Sequence, residues 1–217
     1  CPCVGMNPSS QSMLPSEKRH RKMQWHQQWA HQCDAAGEKL DAEATGPGRP
    51  KIPKHFLFVL VREREAWIDW SYPFQLINSS HPLYQQLTQL EQLLIENMRN
   101  SLILNDASSV HFIDEFDCIS MLSQLNVEVL TAFLEEPDIR YQTDICRVVA
   151  LYLEGGYYFD DDMLAYTSVI PFIHQDTEFA TVEVEGDAAV YFQSFMASVP
   201  CHPILRRNIE LLVEAKK

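Results

Sequence analysis

Three aspartates stand side by side at Asp160, Asp161 and Asp162, closing the stretch TDICRVVALYLEGGYYFDDD. Adjacent like charges repel, so a run of this kind is either solvated or given a cation. Carboxylates that converge on one point make a hard, oxygen-rich site suited to Mg²⁺ or Mn²⁺. If the segment stays extended, Asp160 and Asp162 face one way and Asp161 the other. A divalent ion held there can bridge protein to a diphosphate and stabilise it as a leaving group. Asp144 and Arg147 open the same stretch, three residues apart on one flank of a helix, where they can pair. Each element has a plain reading taken singly: a solvated turn for the aspartates, a surface ion pair for Asp144 and Arg147. Their order and closeness set them apart.

The elements that must carry these groups follow from periodicity. Ile145, Val148, Val149 and Tyr152 recur at the spacing of a buried stripe, and the pattern predicts a helix over Ile139–Glu154. Gly155 and Gly156 stop it, one of them as a left-handed cap. The aromatic run that follows predicts a strand over Tyr157–Asp160. In α/β sheets ligands collect beyond the carboxyl ends of strands, which is where the aspartates fall. Upstream, residues 55–61 form an apolar run expected of a strand covered on both faces. Leu83–Asn97 has helical spacing, with Leu83, Leu87, Leu90, Leu94 and Met98 on one face. Val110–Ile113 reads as a short strand and Asp117–Leu134 as one or two helices. Strands over Glu178–Val184 and Ala189–Ser198 and a helix over Pro203–Ala215 complete an α/β layered fold.

Residues 1–50 read differently. They are polar and end in the breaker run Gly46-Pro47-Gly48-Arg49-Pro50, so they are expected to be an N-terminal extension or linker, with the globular domain spanning 51–217. The 217-residue chain carries 17 Lys and Arg against 30 Asp and Glu, a net charge of −13. Such a surface repels polyanions, which argues against nucleic acid as a partner. An anionic ligand must be met by a metal ion or by locally placed donors. Cys118 and Cys146 fall in apolar helical patterns and read as small core residues. His20, His26, His31 and Cys33 match no standard metal spacing. Asp114, Glu115 and Asp117 read as a loop or helix cap. Asn78-Ser79-Ser80 fits a glycosylation acceptor. Trp67 and Trp70 read as packing residues, and His202-Pro203 as the start of the last helix.

The stretch quoted above resembles the signature of the DXD-containing glycosyltransferase sugar-binding family, whose members include relatives of the initiation-specific α-1,6-mannosyltransferase and the glucosylating bacterial toxins. The family pattern is Asp-x-x-Arg-x-x-x-Leu-Tyr, a short gap, then Gly-Gly-x-Tyr-x-Asp-x-Asp. Asp144, Arg147, Leu151, Tyr152, Gly155, Gly156, Tyr158, Asp160 and Asp162 supply it in register. IPKHFLFVLV resembles the family's first strand, and SFMASVPCHPILRRNIEL its late strand and helix. The resemblance implies a GT-A-type nucleotide-diphospho-sugar transferase fold, a Rossmann-like mixed sheet with helices on both faces.

It also implies roles. Asp144 and Arg147 would hold the donor sugar hydroxyls, with Tyr158 in the donor-binding set. Asp160 would contact the ribose or sugar, and Asp160 and Asp162 would form the metal site for Mn²⁺ (or Mg²⁺) at the diphosphate. Asp144, Arg147 and Asp160 form the implied catalytic set. The donor would be GDP-mannose or a UDP-sugar, the acceptor a hydroxyl on a glycan or protein, and transfer would retain configuration. The implied setting is the Golgi or another secretory-pathway lumen, with a membrane reached only through an anchor upstream of Cys1.

This chain departs from the family in three places. Leu57 and Leu60 stand where the family's first strand often has His and Trp, and Gln193 replaces a common Asn. Family members also carry further metal-binding and acceptor-side residues past the late helix. The chain ends at Lys217, so a domain truncated at its C-terminus is expected. These departures leave a non-catalytic, sugar-nucleotide-binding or structural relative as the alternative. A phosphotransferase with Asp160 as nucleophile is weaker, since Leu164 has no hydroxyl to hold a phosphate.

Overall fold

The apolar run His-Phe-Leu-Phe-Val has too little polarity for either of its faces to meet water. In the computed structural model, which describes residues 51–60, 79–80, 82, 84–183 and 191–214, it forms strand β1 (His55–Val59), covered on both sides. The further elements are α1 (Gln89–Leu104), β2 (Ser109–Ile113), α2 (Glu115–Leu125), α3 (Val127–Glu135), α4 (Ile139–Glu154), β3 (Gly156–Phe159), β4 (Phe179–Glu183), β5 (Tyr191–Ser198) and α5 (Pro203–Glu214). Five strands make one mixed sheet in the order β2-β1-β3-β5-β4. β2, β1 and β3 run parallel, while β5 is antiparallel to both β3 and β4. The α/β layering expected from the sequence is therefore present, with helices on both faces.

Alternation along the strands sorts the core into two layers. Leu57, Val59, Ile113, Tyr158 and Met196 pack with residues of α2, α3, α4 and α5. Phe56, Phe58, Phe112, Tyr157, Phe159 and Phe195 pack on the other face with Ile95, Met98 and Leu102 of α1. Across that face Phe56 stacks on Tyr157 at 5.2 Å and on Phe159 at 5.7 Å. Such ring pairs contribute about 0.5–1.5 kcal/mol each beyond burial.

Local chemistry sets the helix boundaries. The first helix begins at Gln89, not Leu83, because Thr88 caps it reciprocally with Glu91. Its buried stripe is accordingly Leu94, Ile95, Met98 and Leu102. Leu90 points to solvent, and Leu83 lies outside the described residues. The Asp117–Leu134 region is two helices because Asn126 adopts extended backbone. It ends α2 and caps α3 by accepting from Glu128 N at 2.7 Å.

Cys118 of α2 and Cys146 of α4 are both fully buried, as a core reading requires, and they are also joined in a disulfide. Spacing could not pair them, since they lie on different helices. Cys201 is disulfide-bonded as well.

Candidate functional site

The site is built where α4 turns back into β3. Asp138 starts the helix by accepting from Arg140 N at 2.9 Å. Hydrogen bonds from the Arg140 side chain and backbone hold the Asp138 carboxyl down at about 2. From Ile145 to Glu154 every residue of α4 is buried, which is more than a single stripe. Gly155 then takes φ 65° and ψ −170°, and Gly156 φ 103°. Gly155 is thus in the extended positive-φ region that only glycine occupies readily, not the left-handed cap expected. The reversal is tight on both sides. A Cβ on Gly155 would lie 2.5 Å from Pro200 Cδ, and one on Gly156 would collide with the His55 carbonyl oxygen.

Because α4 packs flat against the sheet, Arg147 is drawn inside, with 9% of its side chain exposed. It is not the surface pair that Asp-x-x-Arg usually makes. Its Nη2 lies 2.6 Å from Asp144 Oδ1, and its Nη1 donates to Asp160 Oδ1 and to the Gln193 carbonyl, both at 3.1 Å. The guanidinium carbon sits 5.0 Å from the centre of the Tyr158 ring, within cation–π range. The Tyr158 hydroxyl donates to the same Asp160 Oδ1. Burial pushes the Tyr158 hydroxyl well above its ordinary 10, so it stays protonated and keeps that donor role. Burial also raises the Asp144 carboxyl, outweighing the opposing pull of Arg147. Arg147 Nε is buried and has no hydrogen-bond partner among the described residues. The structure thus brings Asp144, Arg147, Tyr158 and Asp160 into one network at the carboxyl end of β3.

Asp162 stands apart from that network. β3 ends at Phe159, and Met163 N donates back to the Asp160 carbonyl at 3.2 Å, so the three aspartates form a turn. The extended alternation expected for them is therefore absent, and Asp162 is solvent-exposed while Asp160 and Asp161 are half-buried. Asp160 is anchored by its own N–H donating to Ser194 O at 2.9 Å. The loop beyond is tied to α1: Asn100 Nδ2 donates to Ala165 O at 2.5 Å, and buried Asn105 Oδ1 accepts from Val169 N at 2.8 Å. Both asparagines lie far away in sequence and escaped the sequence reading, because a polar residue within a helix or at its C-cap carries no pattern that marks its loop partner. Exposed Asp162 and the free edge of Asp160 present carboxylate oxygens, the donor type that Mn²⁺ and Mg²⁺ take.

Other expected features separate clearly. Asp114 caps α2 reciprocally with Asp117, which is the cap reading. Leu57 and Leu60 are buried in the core. Pro203 begins α5, and Ile204 N donates to His202 Nδ1 at 3.2 Å. His20, His26, His31, Cys33, Trp67, Trp70, Asn78 and the whole of 1–50 lie outside the described residues. Among the described residues, no helix is long and apolar enough to cross a membrane. The sequence reading missed one group altogether: His55, His111 and Glu154, which converge beneath the β1–β2 edge of the sheet. His55 was absorbed into an apolar run, and the three are far apart in the chain.

No family model matches the chain, and no curated protein matches it either. Among solved structures it is similar to PaToxG Glycosyltransferase, with 12% identity and a TM-score of 0.44, over 92% of this chain and 71% of that one. A likeness of that size does not by itself assign a fold family or an activity.

Proposed function

We propose that the chain is a metal-dependent glycosyltransferase of GT-A type that moves a sugar from a nucleotide-diphosphate donor to an acceptor hydroxyl, with retention. The observation that carries this reading is the buried Arg147, clamped between Asp144 and Asp160 with Tyr158 behind it. Four residues of the motif by which the sequence resembles sugar-nucleotide enzymes thus lie in one hydrogen-bonded group, at the strand end where ligands collect. In this reading Asp144 and Arg147 orient the donor sugar through their outward edges. A sugar hydroxyl that reached Arg147 Nε would satisfy its unpartnered N–H. Tyr158 fixes Asp160, and Asp160 with Asp162 would hold Mn²⁺ or Mg²⁺. When bound, that ion offsets diphosphate charge and stabilises the leaving group. The bond from the anomeric carbon to the diphosphate breaks as the bond to the acceptor oxygen forms, and the acceptor's proton passes to the departing diphosphate.

The proposed domain spans 51–217, behind a proposed extension over 1–50. A secretory-pathway lumen such as the Golgi is the proposed setting, since disulfides such as Cys118–Cys146 persist in oxidising compartments. A second reading is a sugar-nucleotide-binding or structural relative without turnover. It is favoured by Asp160 Oδ1 being already engaged by Arg147 and Tyr158.

Calorimetric titration with UDP and GDP, each with and without Mn²⁺, tests the site, and a donor-hydrolysis assay separates the two readings. Mn²⁺-dependent binding of one nucleotide is expected. Asp162→Asn should weaken it by more than the roughly 10–100-fold typical of outer-shell changes and abolish turnover. Binding without hydrolysis would favour the sugar-nucleotide-binding relative lacking turnover, and absence of any nucleotide binding would remove the transferase and leave the structural relative.

A further inference from the structure

The proposed transfer reaction makes no use of His55, His111 and Glu154, yet the fold brings them together. His55 opens β1 in register with Ser109, and His111 lies two residues further along β2. Both strands turn this side toward α4, whose last residue is Glu154. The Glu154 side chain is 1% exposed, with His55 at 19% and His111 at 13%. One potential ligand atom from each of the three lies within 4.8 Å of the others.

The distances and the surroundings both suit a metal. Glu154 Oε2 lies 3.1 Å from His55 Nε2 and 2.9 Å from His111 Nδ1. Ligands at zinc bond lengths of about 2.0–2.1 Å in a tetrahedral set stand roughly 3.3 Å apart, so a small opening would seat an ion. The second nitrogen of each ring also faces an oxygen. His55 Nδ1 is 2.7 Å from Ser109 Oγ, and His111 Nε2 is 4.0 Å from Asp117 Oδ2. Metal-bound histidines are held in tautomer and orientation by outer-shell oxygens placed as Ser109 Oγ is, while the 4.0 Å between His111 and Asp117 exceeds hydrogen-bond length.

We propose that His55 Nε2, His111 Nδ1 and Glu154 Oε2 form a binding site for a zinc-type divalent cation, cross-linking β1, β2 and the end of α4. Two imidazoles and one carboxylate favour zinc and its neighbours over Mn²⁺ or Mg²⁺. Three protein ligands leave one tetrahedral position for water. The ion also supplies the buried Glu154 carboxylate with a counter-charge. This site is separate from the aspartate turn. Glu154 lies two turns of α4 beyond Arg147, roughly 10 Å along the axis. His55 stands at the start of β1, whereas Asp160 follows the end of its parallel neighbour β3.

The test is titration of the metal-free 217-residue chain with Co²⁺, followed by displacement with Zn²⁺, reading visible ligand-field absorption. One tight equivalent with tetrahedral-type bands is expected, unchanged in Asp162→Asn and absent in His55→Gln and His111→Gln. Ser109→Ala alters only an exposed hydroxyl; it should fold normally and weaken binding by about tenfold, the lower end of outer-shell effects. Wild-type protein without such bands overturns the site and leaves a metal-free His–Glu–His hydrogen-bond network. Bands that survive His55→Gln but vanish in Asp162→Asn overturn it too, and assign the ion to the aspartate turn.

Discussion

Arg147 makes contacts in four directions, and what it does follows from its planar, multiply donating head. A lysine offers one compact ammonium, which cannot meet Asp144, Asp160 and the Gln193 carbonyl at once. Arg147→Lys should therefore cost about 2 kcal/mol, the scale of buried groups left without partners, visible as a lower urea midpoint. His202 illustrates a different residue-level effect. It is buried against Phe179 at 5.3 Å, and that burial lowers its basicity from the ordinary 6.5, with Glu178 opposing. The unfolded chain thus binds the proton at higher pH than the folded one does. Stability from the neutral ring is full above 6.5 and is lost as pH falls through the lowered folded value. Chemical denaturation between pH 7.5 and 5 (roughly spanning that window) should show this slope. It should flatten in His202→Asn, which keeps an acceptor for Ile204 N.

At the scale of elements, the helix-to-strand reversal decides whether α4 can deliver Arg147 and β3 can deliver Asp160. Gly156 has φ 103°, and its missing side chain is where the His55 carbonyl oxygen sits. Gly156→Ala should cost at least about 3 kcal/mol, combining positive-φ strain with overpacking against backbone. Because that carbonyl belongs to β1, the damage should appear in equilibrium unfolding and in nucleotide titration together. The bounds of α4 were legible, since its apolar spacing and the glycine pair mark both its course and its end. The aspartate turn was not. Whether a strand ends at Phe159 or runs on is set by where β5 stops pairing, and no local propensity encodes that.

For the molecule as a whole, α2 and α4 are tied together within one core layer by Cys118–Cys146, which are 28 residues apart in sequence. Closing a loop of this size is worth about 3.6 kcal/mol in the chain-entropy model. The double variant Cys118→Ala/Cys146→Ala should then melt roughly 7–14 °C lower, as expected for a chain of this length. Reductant should lower the wild-type melting temperature by more than the variant's, whose remaining sensitivity comes from the disulfide of Cys201. The net charge of −13 also acts at this scale. An anionic ligand approaching this surface must be met by a metal ion or by locally placed donors.

By itself, the sequence determined the α/β layering, the course of α4, the glycine reversal and the grouping of Asp144, Arg147, Tyr158 and Asp160. These are readable because they depend on periodicity and on residues adjacent in one short stretch. Tertiary structure alone decided that Arg147 is buried and not a surface partner. It also decided that the aspartates turn away from a strand, that Asn100 and Asn105 hold the loop beyond them, and that Cys118 meets Cys146. The His55, His111 and Glu154 group has the same origin. Each of these rests on groups distant in the chain being brought to one place by sheet order and helix packing, and side-chain spacing along a sequence holds no measure of that distance.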